Sequence, residues 1–481
     1  MPVSPTYRPA PRFPALGDGF FDPVAPARFP KHDLRFRNQR WAERIGFGDL
    51  EPAEWEAHFA RFDPLPGNLE QPLALRYHGH QFGVYNPHLG DGRGFLFAQL
   101  LDAEDGRLLD LGTKGSGQTP WSRGGDGRLT LKGGVREVLA TEMLEALGVP
   151  TSKSFSLFET GERLLRGDEP SPTRSSVLVR LSHSHVRFGS FQRHAHHGDV
   201  ERLERLLDFA IAEYLPGVPR GRGEETVLAF VGEVCRRSAA LAASYMAAGF
   251  VHGVLNTDNM NMTGESFDYG PYRFLPTYDP GFVAAYFDHT GLYAFGQQPR
   301  TVLWNLTRLT DALRPLCPAA AFAPALREFQ PALHAAMQRL ILRRLGLASS
   351  GADLDGLLVE ACFDFMQSSG VGYDRFFFDW YGGIARKEQA LAGPAGDRYQ
   401  GLQLEALCRV LEAFAPARPE LLEHAYFLGE GPCSLLIDEI EAIWGAIAGE
   451  DDWGPLERKV EAIRAMGALY AAPGEGGLTA R

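Results

Sequence analysis

The spacing of the apolar residues changes near residue 190, and this change restricts the fold of the 481-residue chain more than any other feature. From about 70 to 185 the apolar residues form short runs of strand length. The runs at 93–102 and 107–115 flank an Ala-Glu-Asp-Gly turn that is typical of a hairpin. One stretch in this part, 135–148, has apolar residues at helical spacing and ends on glycine. After about 190 the helical spacing predominates.

Eight segments of the second part have strong helical spacing: 200–215, 227–249, 301–314, 322–346, 353–366, 402–414, 432–448 and 455–471. A small sheet with one helix, followed by a large helical lobe, is the layout of a protein-kinase-like fold. We therefore predict an α+β, two-lobed fold with a sheet-rich N-lobe at 71–190 and a helical C-lobe at 191–481. Residues 1–70 are predicted to be an N-terminal extension, whose first 40 residues are rich in Pro, Arg and Phe and lie over the body.

Charge and cysteine content restrict the partners and the compartment. The chain has 48 Lys and Arg against 60 Asp and Glu, a net charge of −12, which argues against a general nucleic-acid binder. The five cysteines are scattered singly, as in proteins of a reducing compartment. The N-terminus lacks the apolar core of a secretory signal, and no apolar run reaches membrane-spanning length. We expect a cytoplasmic protein with neither nucleic-acid nor membrane partners.

The segment 252–271, HGVLNTDNMNMTGESFDYGP, carries the strongest chemical signal. Kinase-like enzymes have an Asp, then an Asn five residues later, then an Asp-aromatic-Gly turn. Asn259 and the Asp-Tyr-Gly turn at Asp268 fit the last two parts, and their oxygens are ligands that Mg²⁺ or Mn²⁺ prefers. The usual base position is Val254, which cannot accept a proton. Asp258 directly precedes Asn259, so it is the candidate proton acceptor, although a polar turn without catalytic function is the alternative.

A glycine-rich loop follows Lys114 in LGTKGSGQTPWSRGGDGR. An ammonium group at such a loop can lie near a bound phosphate. The spacing matches neither GxxxxGKS/T nor GxGxxG, so for this loop alone a surface lysine beside a flexible turn is the more usual interpretation. Glu137 lies 23 positions later, in the single predicted helix of the N-lobe, where a kinase-like fold places the partner of its lysine. Glu142 shares that helix and competes for this role.

Other candidates for phosphate or nucleotide contacts are glycines beside predicted turns, an acidic residue and three arginines: Gly90, Gly92, Arg93, Asp126, Gly127, Arg180 and Arg187. Plain turns and structural salt bridges are the alternative interpretations. The histidines in 77–83 and 183–197 suggest a zinc site, but no cysteine lies near them. A structural role is therefore the better interpretation.

Taken in order, seven segments of this sequence resemble the selenoprotein O family of protein adenylyltransferases, which have a kinase-like fold. They are YHGHQFG, LGDGRG, LGTKGSGQTPWSRGGDGR, REVLATEMLEALGVPTSKS, VLVRLSHSHVRFGSFQ, GFVHGVLNTDNMNMTGESFDYGP and QPRTVLWNLTRL. They run from about 77 to 310, which is roughly half of the chain. The resemblance implies that ATP binds in a flipped orientation and that AMP is transferred to Ser, Thr or Tyr hydroxyls of proteins, with the chain itself as one candidate substrate.

The resemblance also assigns roles. It implies Asp258 as proton acceptor, Asn259 and Asp268 as ligands of Mg²⁺ or Mn²⁺, and Glu137 as the partner of Lys114. The nucleotide contacts that it implies are Gly90, Gly92, Arg93, Lys114, Asp126, Gly127, Arg180, Arg187 and Asp268.

The sequence departs from the family pattern in two places. The family usually has a Cys-Asn pair where Ala284 and Ala285 stand here, and the end of the chain has no Cys-x-x-Cys, so redox control through a disulfide is not expected. Three other activities stay open: uridylyl transfer from UTP with Mn²⁺, phosphoryl transfer with Asp258 as a relocated base, and silent ATP binding by a regulator.

Overall fold

The computed structural model describes residues 4–167 and 169–471. The first three residues of the predicted extension and residues 472–481 of the predicted C-lobe lie outside this description. The strands are β1 (Phe21–Pro23), β2 (Asp33–Arg37), β3 (Leu73–Leu75), β4 (Gly79–Gln81), β5 (Val84–Asn86), β6 (Leu96–Leu101), β7 (Leu108–Lys114), β8 (Leu129–Thr130), β9 (Lys153–Leu164), β10 (Thr173–Ser182), β11 (Phe250–Val251) and β12 (Arg273–Phe274).

Eight of these strands form one antiparallel sheet in the order β1-β3-β6-β7-β10-β9-β2, with β8 paired to β10. β4 and β5 form a separate hairpin, and β11 pairs with β12. The predicted hairpin is the β6–β7 pair. All residues of β7 are buried, because the sheet is covered on both faces. These buried residues include the polar side chains of Asp110, Thr113 and Lys114.

Two strands of the predicted N-terminal extension belong to this sheet. β1 and β2 are edge strands of the sheet, and α1 (Gln39–Arg44) and α2 (Pro52–Phe59) pack on its outer face through buried Trp41, Trp55 and Phe59. Short edge strands tolerate proline, as at Pro23, so they leave little alternation in the sequence. The sheet core is thus shared across the predicted boundary at residue 70.

One helix, α3 (Leu131–Ala146), covers the other face of the sheet and packs on β9 and β10. The Thr130 hydroxyl accepts a hydrogen bond from Gly133 N–H and caps its start, and the helix is apolar along the face that it buries. The rest of the structure is helical: α4 (Phe188–His196), α5 (Val200–Tyr214), α6 (Glu224–Ala248), α7 (Gln298–Ala312), α8 (Ala323–Arg327), α9 (Phe329–Leu345), α10 (Ala352–Ser369), α11 (Tyr373–Asp379), α12 (Lys387–Ala392), α13 (Leu402–Leu411), α14 (Ile437–Glu450) and α15 (Gly454–Tyr470).

The predicted helices have counterparts in the structure, with three differences. The segment 322–346 is divided into α8 and α9 because Pro331 has no N–H to donate to the carbonyl of Arg327. α14 begins at Ile437 and not at 432. The predicted lobe boundary at 190 falls inside α4, a nine-residue helix whose few apolar residues give no clear period.

The last described helix, α15, packs against α3 and so supports the helix that carries Glu137. Arg464 of α15 donates two hydrogen bonds of 2.7 Å to the Glu142 carboxylate, whose side chain is buried. Glu142 therefore points away from Lys114 and does not compete with Glu137. No described helix combines the length and the apolar character needed to cross a membrane.

Substituting Arg464 by Ala is expected to lower the free energy of unfolding by about 3 kcal/mol, because it leaves the buried Glu142 carboxylate without its cation. Urea denaturation would measure the change. Arg458→Ala is the matched control, since Arg458 lies on the same helix, is exposed and forms no ion pair with a described residue. Equal denaturation midpoints for the two variants would show that the Arg464–Glu142 pair does not stabilise the packing of α15 on α3.

Candidate active site

The loop that carries the predicted catalytic residues is closed at its base by the β11–β12 pair. Its backbone is held by side chains from the surrounding protein. Asn305 of α7 donates to the Leu255 carbonyl at 2.7 Å, and a ring nitrogen of His252 lies 3.0 Å from the carbonyl oxygen of Phe267. A short 3-10 turn, Thr257–Asn259, then presents two polar side chains in succession. The loop is therefore fixed before any ligand binds.

Asp258 is a buried carboxylate with one oxygen free of hydrogen bonds. Its Oδ2 accepts from Gln81 Nε2 at 3.2 Å, whereas its buried Oδ1 has no partner among the described residues. Burial raises the pKa of Asp258 to about 6, although the nearby Arg187 guanidinium opposes this rise. A carboxylate in this state can accept a proton close to neutral pH.

Asn259 is held to the loop by its amide nitrogen. Its Nδ2 donates to the carbonyl of Val254 at 2.8 Å, and this bond fixes which side of the amide is oxygen. No donor among the described residues reaches Oδ1. The oxygen is therefore available to a cation, and Val254 contributes to the site through its backbone.

Asp268 is surrounded by three cationic side chains. Lys114 Nζ lies 3.5 Å from its Oδ1, Arg180 contacts the same oxygen, and Arg187 donates to Oδ2 at 3.0 Å. The backbone of Asp268 is in the left-handed region, at φ +63°, a conformation that non-glycine residues seldom adopt. Burial raises its pKa, but Arg180, Lys114 and Arg187 outweigh this effect and hold the pKa well below its usual range.

The sheet register explains why two of these cations meet. Lys114 of β7 is opposite Leu178 of β10, and Arg180 is two residues further along β10, so both side chains lie on one face of the sheet. Opposite Arg180 stands Gly112, where a Cβ would come within 2.4 Å of the His185 ring. His185 contacts Arg180 Nε at 3.2 Å and thereby holds the guanidinium in place.

Arg187 joins the two halves of the site. It lies at the N-terminus of α4, and its fully buried guanidinium donates to the Asp258 carbonyl at 2.7 Å and to the Asp268 carboxylate. A further contact, of 3.3 Å, reaches Asp91. Lys114 forms a buried ion pair with Glu137 of α3. The structure thus brings together most of the charged residues that the sequence singles out.

The glycine-rich segments pack against each other beside this charged cluster. A Cβ at Gly90 would come within 2.4 Å of the Trp121 side chain, and Gly127, at φ +69°, lies so close to Gly117 that a Cβ would be 2.2 Å from its carbonyl carbon. Asp126 is exposed and forms an ion pair of 2.8 Å with Arg166. No contact among the described residues joins Asp126 to Asp268, so the nucleotide role of this loop stays a prediction.

Two other predicted residues of this region, Gly92 and Arg93, lie at the same turn. A Cβ at Gly92 would come within 2.8 Å of the Trp121 carbonyl oxygen, so the two loops touch here as well. Arg93 is exposed and forms no ion pair with a described residue. Its guanidinium is therefore available to an anion.

The chain matches the family described as protein adenylyltransferase SelO over residues 5–464. It belongs to this family. Relatives named protein nucleotidyltransferase YdiU include that of Synechocystis sp., 45% identical over 476 residues, which cover 95% of this chain and 98% of the relative. The relative from Gloeobacter violaceus is 46% identical over 467 residues, 95% of each chain, and that from Azotobacter vinelandii is 39% identical over 418 residues, 85% of this chain and 83% of the relative.

Membership of the SelO family confirms the predicted family and the predicted enzyme class, a nucleotidyltransferase. The sheet-rich N-terminal part and the helical C-terminal part confirm the predicted two-lobed fold class.

Sequence reasoning missed Gln81 in this SelO-family chain. The histidines of the segment YHGHQFG suggest a metal site in the sequence, yet both have structural partners. His78 contacts Tyr85 and Arg193, and His80 contacts Gln192. The side chain that reaches Asp258 is that of Gln81, which is itself held by Asn86 at 3.2 Å. No local signal identifies it, because the two residues are 177 positions apart.

The positions that depart from the selenoprotein O pattern also lie at this site. Ala284 and Ala285 are buried, and a Cβ at Gly253 would come within 3.3 Å of the Ala284 Cβ. The loop 281–294 therefore packs directly on the catalytic segment. The Tyr293 hydroxyl of this loop donates to Asn256 Oδ1, two residues before Asp258.

Proposed function

We propose that this chain is a metal-dependent protein adenylyltransferase that moves AMP from ATP to a Ser, Thr or Tyr hydroxyl of a protein and releases pyrophosphate. The observation that carries the proposal is that one guanidinium, that of Arg187, binds both Asp258 and Asp268. A candidate base and a phosphate-binding charge cluster therefore share one site. The position of the usual kinase base is occupied by Val254, so the chemistry centres on Asp258.

Asp258 is proposed to accept the proton. The acceptor oxygen forms a bond to the α-phosphorus of ATP, and the bond from that phosphorus to the bridging oxygen breaks as pyrophosphate leaves. The hydroxyl proton passes to the carboxylate, whose Oδ1 has no partner among the described residues. Lys114 and Arg180 supply positive charge for the phosphate oxygens as negative charge develops on the leaving group.

The flipped orientation of ATP is a further part of the proposal. If the α-phosphate faces the hydroxyl and Asp258, the β- and γ-phosphates need cations elsewhere. Two sets of cations are suited to bind them. One is the Asp268 cluster, formed by Asp268 with Lys114, Arg180 and Arg187, and the other is the exposed Arg93.

Charge balance supports a divalent cation as cofactor. The buried cations Lys114, Arg180 and Arg187 are already paired with three carboxylates, those of Asp91, Glu137 and Asp268. A triphosphate would therefore add negative charge that these side chains do not offset. Mg²⁺ or Mn²⁺, held by Asn259 Oδ1, Asp268 and the phosphates, would supply the missing charge.

The donor set of this chain fits such an ion. No three His, Cys, Asp or Glu side chains in residues 4–167 and 169–471 form a group that could hold a metal by themselves. Mg²⁺ in nucleotide sites commonly takes one or two protein oxygens and completes its shell with phosphates and water. One carboxylate and one free amide oxygen match this requirement.

The test uses ATP labelled at either the α- or the γ-phosphorus, with Mg²⁺ or Mn²⁺, the full chain and casein as a generic acceptor. Label from the α position alone, on the acceptor or on the chain itself, supports adenylyl transfer. Label from γ alone would identify a phosphotransferase with a relocated base. Binding of ATP without transfer from either position would identify a silent regulator, and a parallel reaction with α-labelled UTP and Mn²⁺ measures uridylyl transfer.

A further inference from the structure

An exposed group of apolar side chains lies beside Asp258 and has no role in the site described so far. We name it the aromatic patch; its residues are Phe82, Tyr286 and Phe287, together with Trp304, which contacts the His80 ring of the same hairpin as Phe82. Neighbouring rings are in contact: Phe82 and Phe287 have centroids 5.9 Å apart, and Tyr286 and Phe287 have centroids 5.0 Å apart. Exposed apolar residues that occur singly are normal, whereas a contiguous group marks a binding surface.

The patch is connected directly to the catalytic segment. Gln81 binds the Asp258 carboxylate, and the next residue, Phe82, donates its N–H to Asn256 Oδ1 at 3.1 Å. On the same hairpin, the N–H of His80 donates to Thr257 Oγ1 at 2.7 Å, and the His80 ring packs on Trp304. The patch therefore begins one residue away from a side chain that touches the proposed base.

Phe82 has a backbone conformation that is unusual for a bulky residue. Phe82 and Gly83 connect β4 to β5 with φ of +50° and +78°, a two-residue turn in which Asn-Gly is the usual pair. A bulky residue in the left-handed region is rare, and such strain concentrates at functional sites. Hydrogen bonds from Phe82 N–H to Asn256 and to the Tyr293 hydroxyl, the latter of 3.2 Å, hold this conformation.

The loop 281–294 supplies the second part of the patch and adds little charge to it. Its single carboxylate, that of Asp288, is buried and accepts hydrogen bonds from Leu292 N–H and Tyr293 N–H. The loop thus adds mainly apolar exposed surface next to the segment 252–271, in a protein whose net charge is −12. One cation lies at the edge of the patch, where the Arg308 guanidinium stands 5.1 Å from the centroid of the Trp304 ring. A surface of this kind selects apolar side chains and not charged ones.

We propose that the aromatic patch binds the residues that flank the acceptor hydroxyl on a protein substrate, and that preferred acceptors carry aromatic or branched aliphatic side chains within a few residues of that hydroxyl. This inference rests on the proposed function, since it needs the acceptor hydroxyl at Asp258. An extended segment advances about 3.3 Å per residue, so neighbours one to three residues from the acceptor reach a surface that adjoins the base.

The test uses two fluorescent peptides of equal length and charge with one central Ser, flanked either by Phe and Leu or by Gln and Asn. Transfer from α-labelled ATP and binding by fluorescence anisotropy are measured with the full chain. The variants are Tyr286→Gln, the conservative Tyr286→Phe and the control Leu165→Gln, because the side chains of Tyr286 and Leu165 are both 78% exposed. Leu165 adjoins the end of β9 and lies outside the patch.

The wild type is expected to favour the apolar peptide roughly fivefold to tenfold, both in binding and in transfer. Tyr286→Gln should bring this ratio close to one, whereas Tyr286→Phe and Leu165→Gln should keep it. Equal use of both peptides by the wild type would overturn the inference while leaving adenylyl transfer established. Peptide selectivity in binding without any α-label transfer would instead overturn the proposed function.

A second copy of the chain is the competing occupant of the aromatic patch. Sedimentation of the wild type and of Tyr286→Gln distinguishes it. A dimer that dissociates in Tyr286→Gln would show that the patch is a self-interface and would overturn the inference. Monomers in both cases, together with the peptide selectivity, support it.

Discussion

Replacing Asp258 by Asn is expected to lower the rate of AMP transfer by about 10²–10⁴-fold, because the variant loses the group that accepts the hydroxyl proton. The affinity for ATP should change little, since Lys114, Arg180 and Arg187 are untouched. The free energy of unfolding should not fall: asparagine keeps the shape of the side chain and removes a buried charge whose Oδ1 has no partner among the described residues.

Transfer from α-labelled ATP to a protein acceptor, binding of ATP and urea denaturation are the three measurements. Asp364→Asn is the matched control, because Asp364 is exposed on α10, outside the site. Full activity of Asp258→Asn would exclude Asp258 as the base. A loss of activity together with a loss of stability would show that the effect is structural.

Replacing Asp268 by Ala is expected to abolish transfer, with a fall of roughly 10³-fold or more, because the site loses its carboxylate ligand for the divalent cation. It should also lower the free energy of unfolding by about 3 kcal/mol, since the cations around Asp268 lose the carboxylate that they share. Pyrophosphate should restore part of this stability, because an anion that binds only the folded protein stabilises it by mass action.

Urea denaturation with and without pyrophosphate measures both effects. Asp374→Ala is the matched control: Asp374 forms a buried ion pair of 2.8 Å with Arg344, between α11 and α9. The Asp374→Ala variant should lose a similar amount of unfolding free energy. Pyrophosphate should stabilise this variant no more than the wild type. The same pyrophosphate response in both variants would show that the Asp268 cluster is not the anion site.

Local sequence determined much of the architecture. The period of apolar residues identifies long helices such as α6 and α15 and the β6–β7 hairpin, because each buries one face against a core and its pattern repeats over many residues. The motif formed by Asp258, Asn259 and Asp268 can likewise be identified from the sequence, because its residues lie close together along the chain. The family and its fold class follow from such contiguous segments.

The tertiary structure alone decided which distant residues meet. Gln81 reaches Asp258 across 177 positions, and Arg464 reaches Glu142 across 322 positions. Such contacts depend on how the hairpin and the C-terminal helix pack, and no local period encodes them. The positions of β1 and β2 in the sheet were also decided by packing, because their segment has little strand signal. The aromatic patch is a further case, since its rings come from three separate parts of the chain. Sequence thus specified the elements and the chemical groups, whereas packing decided which groups share the site, because proximity across the fold is set by the core and not by the neighbouring residues.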